Sequence, residues 1–165
     1  MFEAPLEIWD MLLRLLAACA CGMAIGWERE SKNKPAGLRT NTMVALGSAG
    51  FTLVAWNMCA QLAGTDSSLR PDPLRLVDGI IGGIGFLGAG AIMQSQGSIK
   101  GITTAAAIWV VGALGIACGL GFYMIALLVS VFSIAVLYAL GHLEDEVLPE
   151  GEDPEEKKAA RKPKD

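Results

Sequence analysis

Residues 101–143 read GITTAAAIWVVGALGIACGLGFYMIALLVSVFSIAVLYALGHL, 43 positions with no Asp, Glu, Lys or Arg. A helix needs about 20 apolar residues to cross the hydrocarbon core of a bilayer. This run is too long for one crossing and long enough for two. Gly119-Leu120-Gly121 is the natural break between them. The stretch decides the fold class: the chain is an all-α, polytopic membrane protein.

Three further runs lie upstream. Gly79–Ile99 is uncharged over 21 residues and Thr40–Thr65 over 26. Leu15–Trp27 is shorter and reaches a full span only by extending back to about Leu6, through Asp10 and Arg14. The expectation is five transmembrane helices, at about 6–27, 40–63, 74–96, 102–119 and 121–142, within a domain of residues 1–143. Gln94, Ser95 and Gln96 are expected to end the third. Residues 144–165 form a charged tail, expected to be disordered and cytoplasmic because it has almost nothing apolar to bury.

Composition agrees. The chain has 165 residues, 53% hydrophobic and 18% charged, with a net charge of −4. Of its 30 charged residues, 14 fall in the last 25 positions. The rest of the chain cannot clothe itself in polar surface as a soluble domain does. An ordinary cytosolic enzyme, a secreted disulfide scaffold and a nucleic-acid-binding domain are all excluded. The acidic N-terminus (Glu3, Glu7, Asp10) does not read as a secretory signal. Lys and Arg collect after the first helix (Arg29, Lys32, Lys34, Arg39), after the third (Lys100) and in the tail. The positive-inside rule then puts the N-terminus outside and the C-terminus inside.

An offset of 64 lays helices one and two over three and four. Gly26 then falls on Gly90, Gly37 on Gly101 and Thr40 on Thr104, which suggests a parallel two-helix repeat.

Few residues carry chemistry. Cys19, Cys21, Cys59 and Cys118 all sit in apolar runs, without Cys-x-x-Cys spacing, and read as small packing residues. No metal site is expected. The run Gly83-Ile84-Gly85-Phe86-Leu87-Gly88 has the spacing Gly-x-Gly-x-x-Gly but no βαβ context, so a nucleotide site is discounted. No cofactor is implied. His142 reads as an interfacial residue.

Three groups stand out. Gly79, Gly82, Gly83, Gly85, Gly88 and Gly90 crowd helix three. Glycine permits close helix contact in lipid, or the segment unwinds and presents backbone groups to an ion. Gly115-x-x-x-Gly119 is a further packing pair. On the outer side, Asp10 and Arg14 are spaced i, i+4, and Arg75 and Asp78 i, i+3. These charges are expected to pair or to face water, as an ion vestibule or as headgroup-level anchors. On the inner side, Glu28, Arg29 and Glu30, with Arg39 and Thr40, suggest an ion-pair network joining helices one and two, or a docking surface.

These blocks together resemble a known family. They are Gly22-x-x-x-Gly26-Trp27-Glu28-Arg29-Glu30, Pro35-Ala36-Gly37-Leu38-Arg39-Thr40, Asp72-Pro73-x-Arg75, Gly83 to Ile92, and Gly101-Ile102-Thr103-Thr104-Ala105-Ala106-x-Ile108-Trp109. In this order over residues 10–125 they resemble the MgtC/SapB family of bacterial inner-membrane proteins. The resemblance implies a five-helix domain with a cytoplasmic C-terminus. It also implies a link to growth at low magnesium and to survival inside macrophages, through restraint of the F-type ATP synthase. The chain departs from the family pattern at Asp78-Gly79, where many members have Ala-Gln, and at Asn41, where many have His. Virulence-type members carry a folded cytoplasmic domain after helix five, and a short charged tail stands in its place here. Two other functions fit the residues: a small homo-oligomeric ion transporter or channel, and a structural assembly subunit. Partners are therefore the lipid bilayer and either another membrane protein or a second copy, with no nucleic acid.

Overall fold

A computed structural model describes residues 6–63, 72–95 and 98–147. Five helices follow in chain order: α1 (Ile8–Ser31), α2 (Leu38–Ala63), α3 (Pro73–Ala91), α4 (Ile102–Gly119) and α5 (Tyr123–Val147). Two three-residue strands, β1 (Met93–Ser95) and β2 (Ser98–Lys100), pair antiparallel between α3 and α4. Four helices are long and apolar enough to span a membrane, and Val77–Ala91 of α3 is a shorter apolar helix.

Helix three therefore ends at Ala91 instead of running to about residue 96. The Ile92 amide closes back on the Ala89 carbonyl at 3.2 Å, and Met93 pairs with Lys100 in the hairpin. Gly101, at φ +91°, turns the chain into α4. A side chain there would strike the Ala91 carbonyl, so glycine meets both a backbone and a steric demand. Helix one runs four residues past the expected end, and its Glu28, Arg29 and Glu30 are helical. Asn33, at φ +52°, ends it, with Lys34 N–H returning to the Arg29 carbonyl at 2.9 Å. Glu144–Val147 extend α5; the remainder of the expected tail, Arg70 and Gln96 lie outside the described residues.

Residues up to Ile134 form one compact unit, and Ala135 onward a second. In the first unit the core is built from small side chains. Ala18, Ala45, Ala49 and Val111 are wholly buried, while Trp9, Leu16, Trp27, Phe51, Phe86 and Phe132 are exposed. Water would not tolerate that surface, and lipid does. Between helices in lipid the apolar driving force vanishes and close backbone contact takes over. Gly22 and Gly26 of α1 meet α2: a Cβ on Gly26 would lie 2.7 Å from Leu38 Cα, and one on Gly22 2.8 Å from the Asn41 carbonyl. Gly115 and Gly119 of α4 meet α2 from the other side, Gly115 against Ala45 and Ser48, Gly119 against Thr52. The α2 hydroxyls that face this seam bond their own helix: Ser48 donates to Val44 and Thr52 to Ser48, both at 2.8 Å. In the first unit, α5 buries a stripe of Ala126 and Ser130 and leaves Met124, Leu127, Val131 and Phe132 exposed.

At the offset of 64, the helix starts Ile8 and Leu38 fall beside Pro73 and on Ile102. The packing does not repeat: Gly26 is pressed on Leu38, and its counterpart Gly90 faces open space. In the second unit the helical residues Ala135–Val147 carry exposed Val136, Tyr138 and Leu140.

Gly26→Ala should lower stability by about 1–3 kcal/mol, the usual range for overpacking, because the atom it strikes is backbone. Gly83→Ala, with nothing within 4 Å of the new methyl, should leave the unfolding midpoint in detergent unchanged or raise it, by up to about 1 kcal/mol of helix propensity. Thermal unfolding of both variants in the same micelle checks the contrast.

Candidate functional site: two arginine clamps and an open groove

At the Arg14 end the four charges do not pair as i, i+4 and i, i+3 partners among the described residues, and the two acids stand exposed. Arg14 Nη1 donates to the Gly119 carbonyl at 2.7 Å, and its guanidinium carbon sits 4.9 Å from the centre of the Trp56 ring. An arginine in an apolar helix needs an acceptor, and the last carbonyls of α4 need a donor and carry partial negative charge. Each answers the other. Gly121, at φ +80°, lets the chain turn beneath the guanidinium, which would lie 3.3 Å from a Cβ there. Asp10 and Asp78 are exposed, and among the described residues no ion pair joins Asp10 to Arg14 or Asp78 to Arg75. Arg75 instead lies 4.0 Å from Asp72, both side chains largely exposed. In this conformation the four charges do not make a shared vestibule.

At the other end, Arg29 is buried and donates from Nη2 to Thr104 Oγ1 at 3.0 Å. Its Nε has no acceptor among the described residues. Glu28 is also buried. Lys32 Nζ stands 3.1 Å from its Oε1, an ion-pair distance at an angle unsuited to a hydrogen bond, and Oε2 has no donor among the described residues. Glu30 reaches α2 by a different route: its Oε2 accepts the Leu38 amide at 2.7 Å. This caps the start of α2 with a carboxylate from α1, where the helix dipole favours negative charge. Gly37 leaves room for it, since a Cβ there would sit 2.7 Å from that oxygen. Asn41, fully buried, ties the preceding loop down by donating from Nδ2 to the carbonyls of Ala36 and Gly37. Arg39 and Thr40 are exposed on α2 and are not drawn into this cluster. The charges thus join α1 to α2 through a cap and to α4 through an arginine, not through an ion-pair network between helices one and two.

The two clamps match in register. Arg14 and Arg29 are 15 residues apart on α1, and their partners Gly119 and Thr104 are 15 apart on α4. Both helices therefore run antiparallel over about 22 Å at 1.5 Å per residue.

Within this chain the glycines of α3 neither unwind the helix nor, Gly88 apart, approach a neighbour among the described residues. The helix is continuous from Pro73 to Ala91. At Gly79, Gly82, Gly83, Gly85 and Gly90 a Cβ would find no atom within 4 Å, and only Gly88 approaches a neighbour, Ala105 at 3.6 Å. Ile84 makes the tight contact instead, filling the gap over Gly112. Between α3 and α2 runs an apolar groove of about 640 Å³, bordered by Gly47, Phe51, Val54, Gly79, Gly83 and Leu87. A smaller hollow of about 240 Å³ lies between α3 and α4. Among the described residues neither is lined by a charged one.

Sequence reasoning missed the Arg14–Gly119 contact and the Glu30 cap. A signal existed for the first: an arginine in an apolar run and a glycine break ending another run complement each other. For the second there was none, since the capped amide belongs to a different helix.

These features define a multi-pass membrane protein with a small-residue core, helix ends tied by arginine, and an open groove. The MgtC family model matches residues 15–146, and the chain belongs to the MgtC family. It is 42% identical over 129 residues to the Escherichia coli K12 protein named "Putative magnesium transporter YhiD", covering 78% of this chain and 59% of that one. It is 46% identical over 115 residues to Protein SapB of Bacillus subtilis, covering 69% and 49%. It is 40% identical over 134 residues to Protein MgtC of Brucella abortus, covering 78% and 52%. The chain thus spans half to three-fifths of the length of these relatives. No solved structure matches significantly.

Thr104→Val should cost about 1–3 kcal/mol by leaving the buried Arg29 without its acceptor. Adding Arg29→Met should recover part of that loss. A double-mutant cycle on thermal unfolding reads the coupling; additive losses would show that the two side chains do not interact. Glu30→Ala should cost about 1 kcal/mol as a lost cap, whereas the exposed Arg39→Ala should not change stability.

Proposed function

We propose that this protein is a regulator in the bacterial inner membrane that acts by seating a transmembrane helix of another membrane protein in the α2–α3 groove. One observation carries the reading: Gly79 and Gly83, spaced for close helix contact, border an apolar groove, and among the described residues no atom lies within 4 Å of a Cβ at either. The other glycine pairs at this spacing, Gly22 with Gly26 and Gly115 with Gly119, are each spent on α2. A third pair left open is suited to a helix from elsewhere. The positive-inside charge pattern puts the exposed Arg39 and Lys34 on the cytoplasmic side. The first complex to test is the F-type ATP synthase, to which the family resemblance points.

The relative's name supports a second reading, ion transport. The buried Glu28, whose carboxylate oxygens accept no hydrogen bond among the described residues and whose one ion-pair neighbour there is Lys32, is the residue on which it would rest. The exposed Asp78 and Asp10 and the unbroken α3 favour it less than the open groove favours docking.

Gly83→Leu should insert and fold like the parent, because its side chain enters open space, yet lose a partner recovered by in-cell cross-linking and mass spectrometry. Gly50→Leu, also facing open space but outside the groove, should retain it. Recovery of only a second copy of the chain would make the protein a homo-oligomer. Cation flux through liposomes holding the parent, lost in Glu28→Gln and kept in Gly83→Leu, would establish transport instead.

A further inference from the structure

The spans hold four free cysteines, and the fold brings two of them together. Cys21 of α1 and Cys118 of α4 lie with their sulfurs 4.0 Å apart, though 97 residues separate them in the chain. Cys118 is buried and Cys21 half-buried, so one sulfur is enclosed and the other has an open side. Ser130 of α5, buried, stands beside Cys21. The pair sits on the α1–α4 seam that Arg14 and Arg29 hold at its two ends.

We infer that Cys21 and Cys118 form an oxidation site within the membrane, at which a lipid-soluble quinone converts the two thiols into a disulfide linking α1 to α4. In the step, two S–H bonds break and one S–S bond forms. The two electrons and two protons pass to the quinone, which becomes the quinol. The apolar setting selects this chemistry. A disulfide and a quinol are both neutral, so no charge is left in the hydrocarbon layer. The oxidant must also dissolve in lipid to reach Cys21 from its open side. A disulfide bond is about 2.05 Å long, so the sulfurs must close by about 2 Å from their 4.0 Å separation. The link adds a covalent tie between helices otherwise joined there by two arginine contacts.

The test uses the full chain in liposomes, with Cys19→Ser and Cys59→Ser leaving only the pair. Decylubiquinone should remove two hydrogens from the intact mass, yield one linked Cys21–Cys118 peptide, raise the unfolding temperature and produce quinol in equal amount. Ferricyanide, confined to water, should do none of these. Adding Cys118→Ser should abolish the link. The proposal is overturned if quinone leaves both thiols open to alkylation in a protein with the parent's helix content. A link made by iodine alone, or by ferricyanide as readily as by quinone, overturns it too.

Discussion

Two arginines on one helix hold the arrangement that everything else uses. A guanidinium cannot be discharged in a protein and cannot be left bare in lipid, so each must find an acceptor. Arg14 finds the carbonyl end of α4, and Arg29 finds a threonine at its start. Because the spacing is equal on the two helices, satisfying one arginine sets the register at which the other is satisfied. That register fixes α1 against α4. Glycine then lets α2 press against both, through Gly22 and Gly26 on one side and Gly115 and Gly119 on the other. Glu30 completes the arrangement by capping the helix that the glycines admit.

This division of labour explains why the glycines of α3 are different. A glycine inside a helix in water is a liability of about 1 kcal/mol relative to alanine. In lipid it can recover that cost only by close contact. The α1 and α4 glycines do so within the chain. Most of those on α3 do not; the contacts of α3 with α4 include Ile84 over Gly112 and the looser approach of Gly88 to Ala105. Its free face, together with the bare stretch of α2 at Gly47 and Phe51, forms the apolar α2–α3 groove. A surface made this way is suited to another helix more than to an ion, which would need fixed polar groups along its path. The family relatives are longer than this chain, so contacts made by their remaining parts lie beyond what the groove itself supplies.

Much of this was legible in the residues. The 43-residue uncharged run and the Gly-Leu-Gly break implied two spans, and α4 and α5 stand there. Small-residue spacing marked Gly115 and Gly119 as contact positions, which they are. Other signals misled because they were local. Acid–base spacing on one helix suggested Asp10 with Arg14 and Arg75 with Asp78, but a long arginine side chain reaches a neighbouring helix as readily as its own next turn. The density of glycine in α3 suggested packing or unwinding, and composition cannot tell an occupied glycine from a vacant one. Gln94 and Ser95, assigned to the end of helix three, lie in a hairpin strand, since polar residues stop a span whether the next element is helix, strand or turn.

By itself, then, the sequence determined that the chain is a five-helix membrane protein of this family. Those properties follow from run lengths, charge counts and short motifs, which are read along the chain. Only the tertiary structure decided which arginine meets which acceptor, which glycines are spent and which two cysteines touch. Those depend on the approach of residues up to 105 positions apart, and such pairings are set by the register between helices, which no one-dimensional pattern carries.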